Sequence, residues 1–93
     1  MAGISGQKTV TTAGTAVVLG SGRIDGAMIV KALDTNTDVV AIGNDGSNDV
    51  TVGNGIRLLK GEVVVFDYVG ELGTLYLDSA VNGEGVSWIA LTL

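Results

Sequence analysis

The stretch Val63-Val64-Val65-Phe66-Asp67-Tyr68 decides the fold class of this chain. It is the most apolar continuous run in the sequence, and turn-forming glycines bracket it at Gly61 and Gly70. Three β-branched residues followed by an aromatic residue favour a strand, because branched side chains lose rotamers in a helix and fit the pleated surface of a sheet. The sequence therefore predicts a buried β-strand at this position.

This strand has two apolar faces. Side chains alternate along a strand, so the even-numbered residues share one face, and Val63, Val65 and Asp67 share the other. A small monomer usually exposes a polar side of such a strand. The second face therefore needs a cover, which is either another layer of the domain or another subunit.

Composition indicates a single domain that is unusually apolar. The chain has 93 residues, of which 46% are hydrophobic and 16% charged, and we expect part of the apolar excess to face other protein chains. No apolar run approaches the ~18 residues that span a bilayer, and the N-terminus lacks the basic-then-apolar order of a signal peptide. We expect no membrane association, and we expect the chain to be made in the cytoplasm.

Charge and missing residue types exclude several functions. The net charge is −5 and the five basic residues are scattered, so the sequence offers no basic stripe for nucleic acid. Cysteine and histidine are both absent, which excludes disulfides, thiolate nucleophiles and the usual zinc ligands. No cofactor is expected.

Short strand-like runs follow one another along the whole chain, with turn signals about every eight to twelve residues. We expect a flexible N-terminal arm at residues 1–6, disordered unless a neighbour holds it, and one domain at residues 7–93. Within it, residues 7–12 and 15–19 form a hairpin or a bend, and the loop at 20–26 places Ile24 as a plug in the core. The predicted strands are 7–12, 15–19, 27–33, 39–43, 50–52, 56–59, 63–68, 74–78 and 86–93.

This pattern predicts an all-β fold, an antiparallel β-sandwich or jelly roll of about eight short strands. A small closed β-barrel is the alternative. A parallel sheet is excluded because the sequence contains no crossover helices.

One loop has the composition of a calcium site. Asp34-Thr35-Asn36-Thr37-Asp38 carries alternating oxygen ligands, and Asn44, Asp45, Asn48 and Asp49 follow one short strand later. An EF-hand would need glycine where Val39 stands, however, and Asp and Asn in such loops more often cap their own backbone. No metal site is predicted.

The sequence signals for a catalytic site are equally weak. Asp67, Asp78 and Glu84 could act as paired carboxylates of a glycosidase, but a chain this short has little loop length for a sugar-binding cleft. A serine nucleophile would have no histidine as its base. Tyr76 and Trp88 could stack on a sugar, yet with so few aromatic residues we expect them in the core or an interface. The protein is predicted to be non-enzymatic.

Several different strand-and-turn motifs follow one another from Lys31 to the end of the chain. They are Val39-Val40-Ala41-Ile42-Gly43-Asn44-Asp45, Asn54-Gly55-Ile56-Arg57-Leu58, the turn Lys60-Gly61-Glu62 before the apolar strand, Leu75-Tyr76-Leu77-Asp78 and Val81-Asn82-Gly83-Glu84-Gly85-Val86. In this order of elements the chain resembles a group of small structural proteins of tailed bacteriophages. It departs from their commoner pattern at Leu59-Lys60, where such proteins often carry a proline before the turn glycine.

The resemblance implies a virion component, of which a capsid decoration or cement protein is the leading type. Such a protein assembles in the host cytoplasm and ends on the capsid surface, usually as a homo-oligomer, with a trimer favoured over a dimer. Its partner would be the major capsid protein. The expected subunit interface is Val63 with Val65, or Ile89 with Leu91, and the arm at residues 1–6 would order on the capsid.

Two other interpretations stay open. A tail-tip or fibre-associated module of the virion would use the same sandwich with partners on the tail or host surface. A free carbohydrate- or calcium-binding module belongs to a different class of function, and its thermal melt would shift with its ligand.

Overall fold

A computed structural model describes residues 2–44, 50–51 and 53–92, and the side chains of 4–44, 50–51 and 53–90. These residues form ten strands and one 3-10 helix at Leu72–Thr74. The strands are β1 Ala2–Thr9, β2 Val17–Val18, β3 Arg23–Ile24, β4 Met28–Ala32, β5 Val40–Gly43, β6 Ile56–Leu58, β7 Val63–Phe66, β8 Gly70–Glu71, β9 Tyr76–Ser79 and β10 Gly85–Thr92.

The strands build two four-stranded antiparallel sheets. The first sheet has the order β1-β10-β4-β7 and the second β2-β9-β5-β6, while β3 and β8 form a small ribbon. The prediction of an all-β, antiparallel, sandwich-like fold is confirmed. Each of the two sheets ends in free edges within the described chain, so the alternative of a closed barrel is wrong.

The core lies between the facing sides of the sheets. Alternation in β4 is clear, because Met28, Val30 and Ala32 are fully buried while Ile29 is exposed. Ile24 is also fully buried, which confirms the predicted plug. Several further aliphatic residues complete this cluster, namely Val10, Leu19, Val40, Ile42, Leu58, Leu72, Leu77, Val86 and Ala90.

The N-terminal segment differs from the expectation of a flexible arm. Residues 2–6 belong to β1, which pairs along its whole length with β10. Gly6 explains the difference, since a Cβ added there would lie 2.8 Å from Cζ2 of Trp88. A glycine required for close packing is indistinguishable in sequence from a glycine that confers flexibility. Met1 lies outside the described residues.

Other boundaries shift for local reasons. Strands β1 and β2 lie in different sheets, so the chain bends between them instead of forming a hairpin. The predicted strand at 50–52 is reduced to a bridge between Thr51 and Asn54, and Val52 lies outside the described residues. Thr74 belongs to the 3-10 helix, so that β9 begins at Tyr76.

The predicted tight turn at Lys60-Gly61 is confirmed, and it fixes the register of β7. The Glu62 N–H donates to the Leu59 carbonyl at 2.9 Å, and Gly61 has φ of +78°. Both Gly61 and Glu62 bond to Ala32: the Gly61 N–H donates to the Ala32 carbonyl, and the Ala32 N–H donates to the Glu62 carbonyl. This arrangement is a glycine bulge following a type II turn, which requires a positive φ at Gly61.

Candidate interaction surface

The side of the first sheet that points away from the core carries a row of exposed apolar side chains. In the pairing register Ile89 lies opposite Ile29, and Ile29 lies opposite Val65. Val63 continues the row along β7. We call these four residues the outer face; the exposed fractions are 44% for Ile29, 51% for Val63, 59% for Val65 and 51% for Ile89.

The outer face joins the two alternatives that the sequence offered for an interface. Val63 and Val65 on β7 and Ile89 on β10 share one side of the sheet because β4 lies between their strands. Leu91 belongs to β10 opposite Gly3, and its side chain lies outside the described set.

Sequence reasoning did not single out Ile29. The signal was available in the alternation of Met28, Ile29 and Val30, which places Ile29 on the face opposite its neighbours. In the structure Ile29 is the central residue of the row.

A polar row borders the outer face. Ser87 lies between Gln7 and Lys31 in the register, and Lys31 lies opposite Val63. Lys31 Nζ also lies 3.3 Å from a carboxylate oxygen of Asp34, with both side chains exposed. Apolar centres with polar borders are typical of surfaces that bind other proteins.

At the edge of the sheet, the backbone groups of Val63 and Val65 have no partner among the described residues. The Ala32 N–H donates to the Glu62 carbonyl, so in an antiparallel ladder the alternate residues Val64 and Phe66 bond to β4. The N–H and C=O groups of Val63 and Val65 therefore point away from β4. No described strand lies on that side of β7.

The loop with calcium-like composition uses its oxygens for local hydrogen bonds. Asn36 is buried and bonds through its side chain to both the N–H and the carbonyl of Gly85. Asp38 accepts from the Val39 N–H, and Asp34 contacts Lys31. Within the described residues no group of three or more His, Cys, Asp or Glu side chains gathers as a metal site.

The second half of that candidate site cannot be placed. Asn44 is exposed at the end of β5, while Asp45, Asn48 and Asp49 lie outside the described residues.

Glu84 holds the loop before β5. Its carboxylate accepts from the Thr37 N–H at 2.6 Å, the Thr37 hydroxyl at 2.8 Å and the Asp38 N–H at 3.2 Å. Burial raises the pKa of Glu84, but the hydrogen bonds from Thr37 and Asp38 outweigh it, so the pKa lies below its ordinary value of 4.5. The carboxylate is thus held in its charged form as a structural acceptor.

Asp78 has a structural role like that of Glu84, and Asp67 lies at the surface. Asp78 is buried and accepts from the Gly14 N–H at 3.0 Å and the Ser79 N–H at 2.8 Å, which ties the bend after β1 to β9. Asp67 is exposed after β7. Asp78 and Glu84 each serve the backbone of a loop.

Trp88 packs against the core, as expected for a large aromatic residue. Its Nε1 is buried and has no hydrogen-bond partner among the described residues. Tyr76 is half-buried on β9 of the second sheet, so the two aromatic residues belong to different sheets. Tyr68 is exposed and its hydroxyl accepts a hydrogen bond from Arg23 at 2.6 Å.

Comparisons with protein-family models, with curated proteins and with solved structures found no match for this chain. Among the described residues no helix is long and apolar enough to cross a membrane.

Proposed function

We propose that this chain is a non-enzymatic structural protein of a bacteriophage virion, and specifically a capsid decoration protein. It self-associates and binds the assembled lattice of the major capsid protein on the surface of the head. The resemblance of its strand-and-turn motifs to those of small phage structural proteins motivates the class, and the outer face supports a binding role.

The single observation that carries the proposal is the exposure of four contiguous apolar side chains on one side of the first sheet. Ile29, Val63, Val65 and Ile89 are each between 44% and 59% exposed. Removing apolar surface from water contributes about 25 cal/mol per Å². A row of branched residues exposed on a small domain therefore favours association with another protein surface.

The described polar groups fit a structural role. The buried carboxylates of Asp78 and Glu84 accept hydrogen bonds from loop backbone. These two carboxylates hold loops between strands.

Binding would stabilise the capsid by mass action. A protein that recognises the assembled lattice and not the free capsid subunit shifts the assembly equilibrium toward the shell. The expected effect is a higher temperature of shell disruption when the protein is bound.

The test is co-sedimentation with undecorated capsid shells. We expect the unmodified chain to sediment with the shells and Val65→Asp to remain in the supernatant, because a charge in the outer face would be buried without a partner. Val18→Asp is the matched control, since Val18 is an exposed valine on the second sheet.

The outcomes separate the alternatives. Binding of the unmodified chain and of Val18→Asp, with loss in Val65→Asp, supports a decoration protein. Absence of binding by the unmodified chain contradicts it. Binding to isolated tails would instead identify a tail module, and a thermal melt that shifts with calcium or sugar would identify a free binding module.

A further inference from the structure

We propose that β7 pairs with β7 of a second copy of this chain, antiparallel and about a two-fold axis at Val64. The pairing would join two first sheets into one eight-stranded sheet. It deepens the self-association within the proposed function by naming the partner surface and its symmetry.

The hydrogen-bond pattern of β7 matches this symmetry. Within β7, Val63 and Val65 direct their backbone groups off the edge, and they are spaced two residues apart around Val64. A two-fold axis at Val64 places Val63 of each copy opposite Val65 of the other. Both pairs are then of the hydrogen-bonded type, so every free backbone group of Val63 and Val65 gains a partner.

The side chains also match. Across the junction Val63 of one copy would lie beside Val65 of the other, and the outer faces of the two copies would become continuous. Cross-strand pairs of β-branched side chains stabilise antiparallel strands. The joined sheet would present a single apolar ribbon centred on the axis.

The β7 edge is short and begins after a glycine bulge, but it carries no protective side chains. Natural edge strands are commonly protected by proline, lysine or inward charges, and Val63-Val64-Val65-Phe66 contains none of these. A strand that pairs with itself forms an isologous contact, which closes with two copies. The proposal therefore specifies a dimer in place of the trimer that the resemblance favoured.

The test is the absolute mass in solution by light scattering over a range of concentrations, with two proline variants. We expect the unmodified chain to approach twice its 9.4 kDa mass. Val65→Pro removes an outward N–H of β7 while leaving the bonds to β4 intact, so this variant should stay folded and show the mass of one chain.

Gln7→Pro is the matched control on the opposite edge. The Val10 N–H donates to the Glu84 carbonyl, and alternation from this bond directs the Gln7 N–H away from β10. This variant should retain the doubled mass. If Val65→Pro fails to fold, Val65→Lys serves instead, because it places a cation in the contact without altering the backbone.

Three results would overturn the pairing: a single-chain mass for the unmodified protein at every concentration, a doubled mass for Val65→Pro or Val65→Lys in folded form, or a mass of three chains. These results are independent of capsid binding. A single chain that sediments with capsids contradicts the pairing and keeps the decoration function. A dimer that does not bind capsids supports the pairing and contradicts the decoration function.

Discussion

The two edge strands of the first sheet, β1 and β7, differ in how closely they pack and in how much apolar surface they expose. Strand β1 has eight residues, pairs along its length with β10, and includes Gly6, which packs against the indole of Trp88. Strand β7 has four residues, no charge and no glycine, and exposes Val63 and Val65 on the outer face. One edge is fitted closely to its own chain at Gly6, and the other carries exposed apolar side chains.

This difference shows that a glycine-rich segment can be the tightly packed edge of a sheet, while a valine-rich segment can be the edge whose side chains are exposed. Substitutions on the β1 side should therefore cost folding stability. Substitutions on the outer face of β7 should cost assembly and leave the stability of the single chain nearly unchanged.

The largest effect is expected for Gly85→Ala, where β10 begins opposite Thr9. A Cβ at this position would lie 2.0 Å from the Lys8 carbonyl oxygen and 2.7 Å from the Thr9 Cα, so the backbone of β1 itself must move. We expect a loss of about 3 kcal/mol in the free energy of unfolding, measured by urea denaturation. An unchanged denaturation midpoint would contradict the close fit of β1.

A smaller effect is expected for Gly6→Ala, because the atom it meets is a side-chain carbon of Trp88. We expect a loss of about 1–2 kcal/mol in the free energy of unfolding. Phenylalanine lacks the outer ring of the indole, so Gly6→Ala should cost less in a Trp88→Phe background. A double-mutant cycle by urea denaturation measures this coupling, and additive losses would separate Gly6 from Trp88.

The pH dependence of Glu84 tests the loop that adjoins the β1 edge. Because its pKa in the folded chain is below 4.5, the carboxylate contributes stability that is complete above pH 4.5 and lost as the pH falls below it. We expect Glu84→Gln to lower the melting temperature at neutral pH, with the gap to the unmodified chain closing in acid. A gap that is the same at neutral and acid pH would contradict the charged acceptor role.

The smallest effect is expected for Val65→Thr at concentrations where the chain is dilute. Val65 is 59% exposed, and a surface substitution of this kind changes the free energy of unfolding by about 0.5 kcal/mol or less. Urea denaturation of the dilute protein measures it. A loss as large as that of Gly6→Ala would show that Val65 supports the fold of the single chain.

Sequence alone predicted the features that depend on local pattern. Alternation sorted Val63 and Val65 from Val64 and Phe66, and the glycine at position 61 indicated the turn before β7. The burial of Ile24 followed from one apolar residue in a glycine-rich loop. Each of these signals lies within a few residues of the feature it predicts.

Features that depend on distant pairing were not predictable. Nothing near Ile89 or Val65 reveals that β4 lies between their strands, so the sequence left two faces as alternatives where the structure has one. Likewise, the packing of Gly6 against Trp88 joins opposite ends of the chain. Without that contact the first six residues have only a composition typical of a flexible arm.

The most direct test of the free β7 edge is amide hydrogen exchange of Val64 and Val65, followed by NMR at increasing protein concentration. The Val64 N–H bonds to β4 and should be protected at every concentration, whereas protection of the Val65 N–H should rise as the second copy binds. A Val65 amide that exchanges without protection at every concentration, while Val64 stays protected, would contradict the pairing of β7 with a second copy.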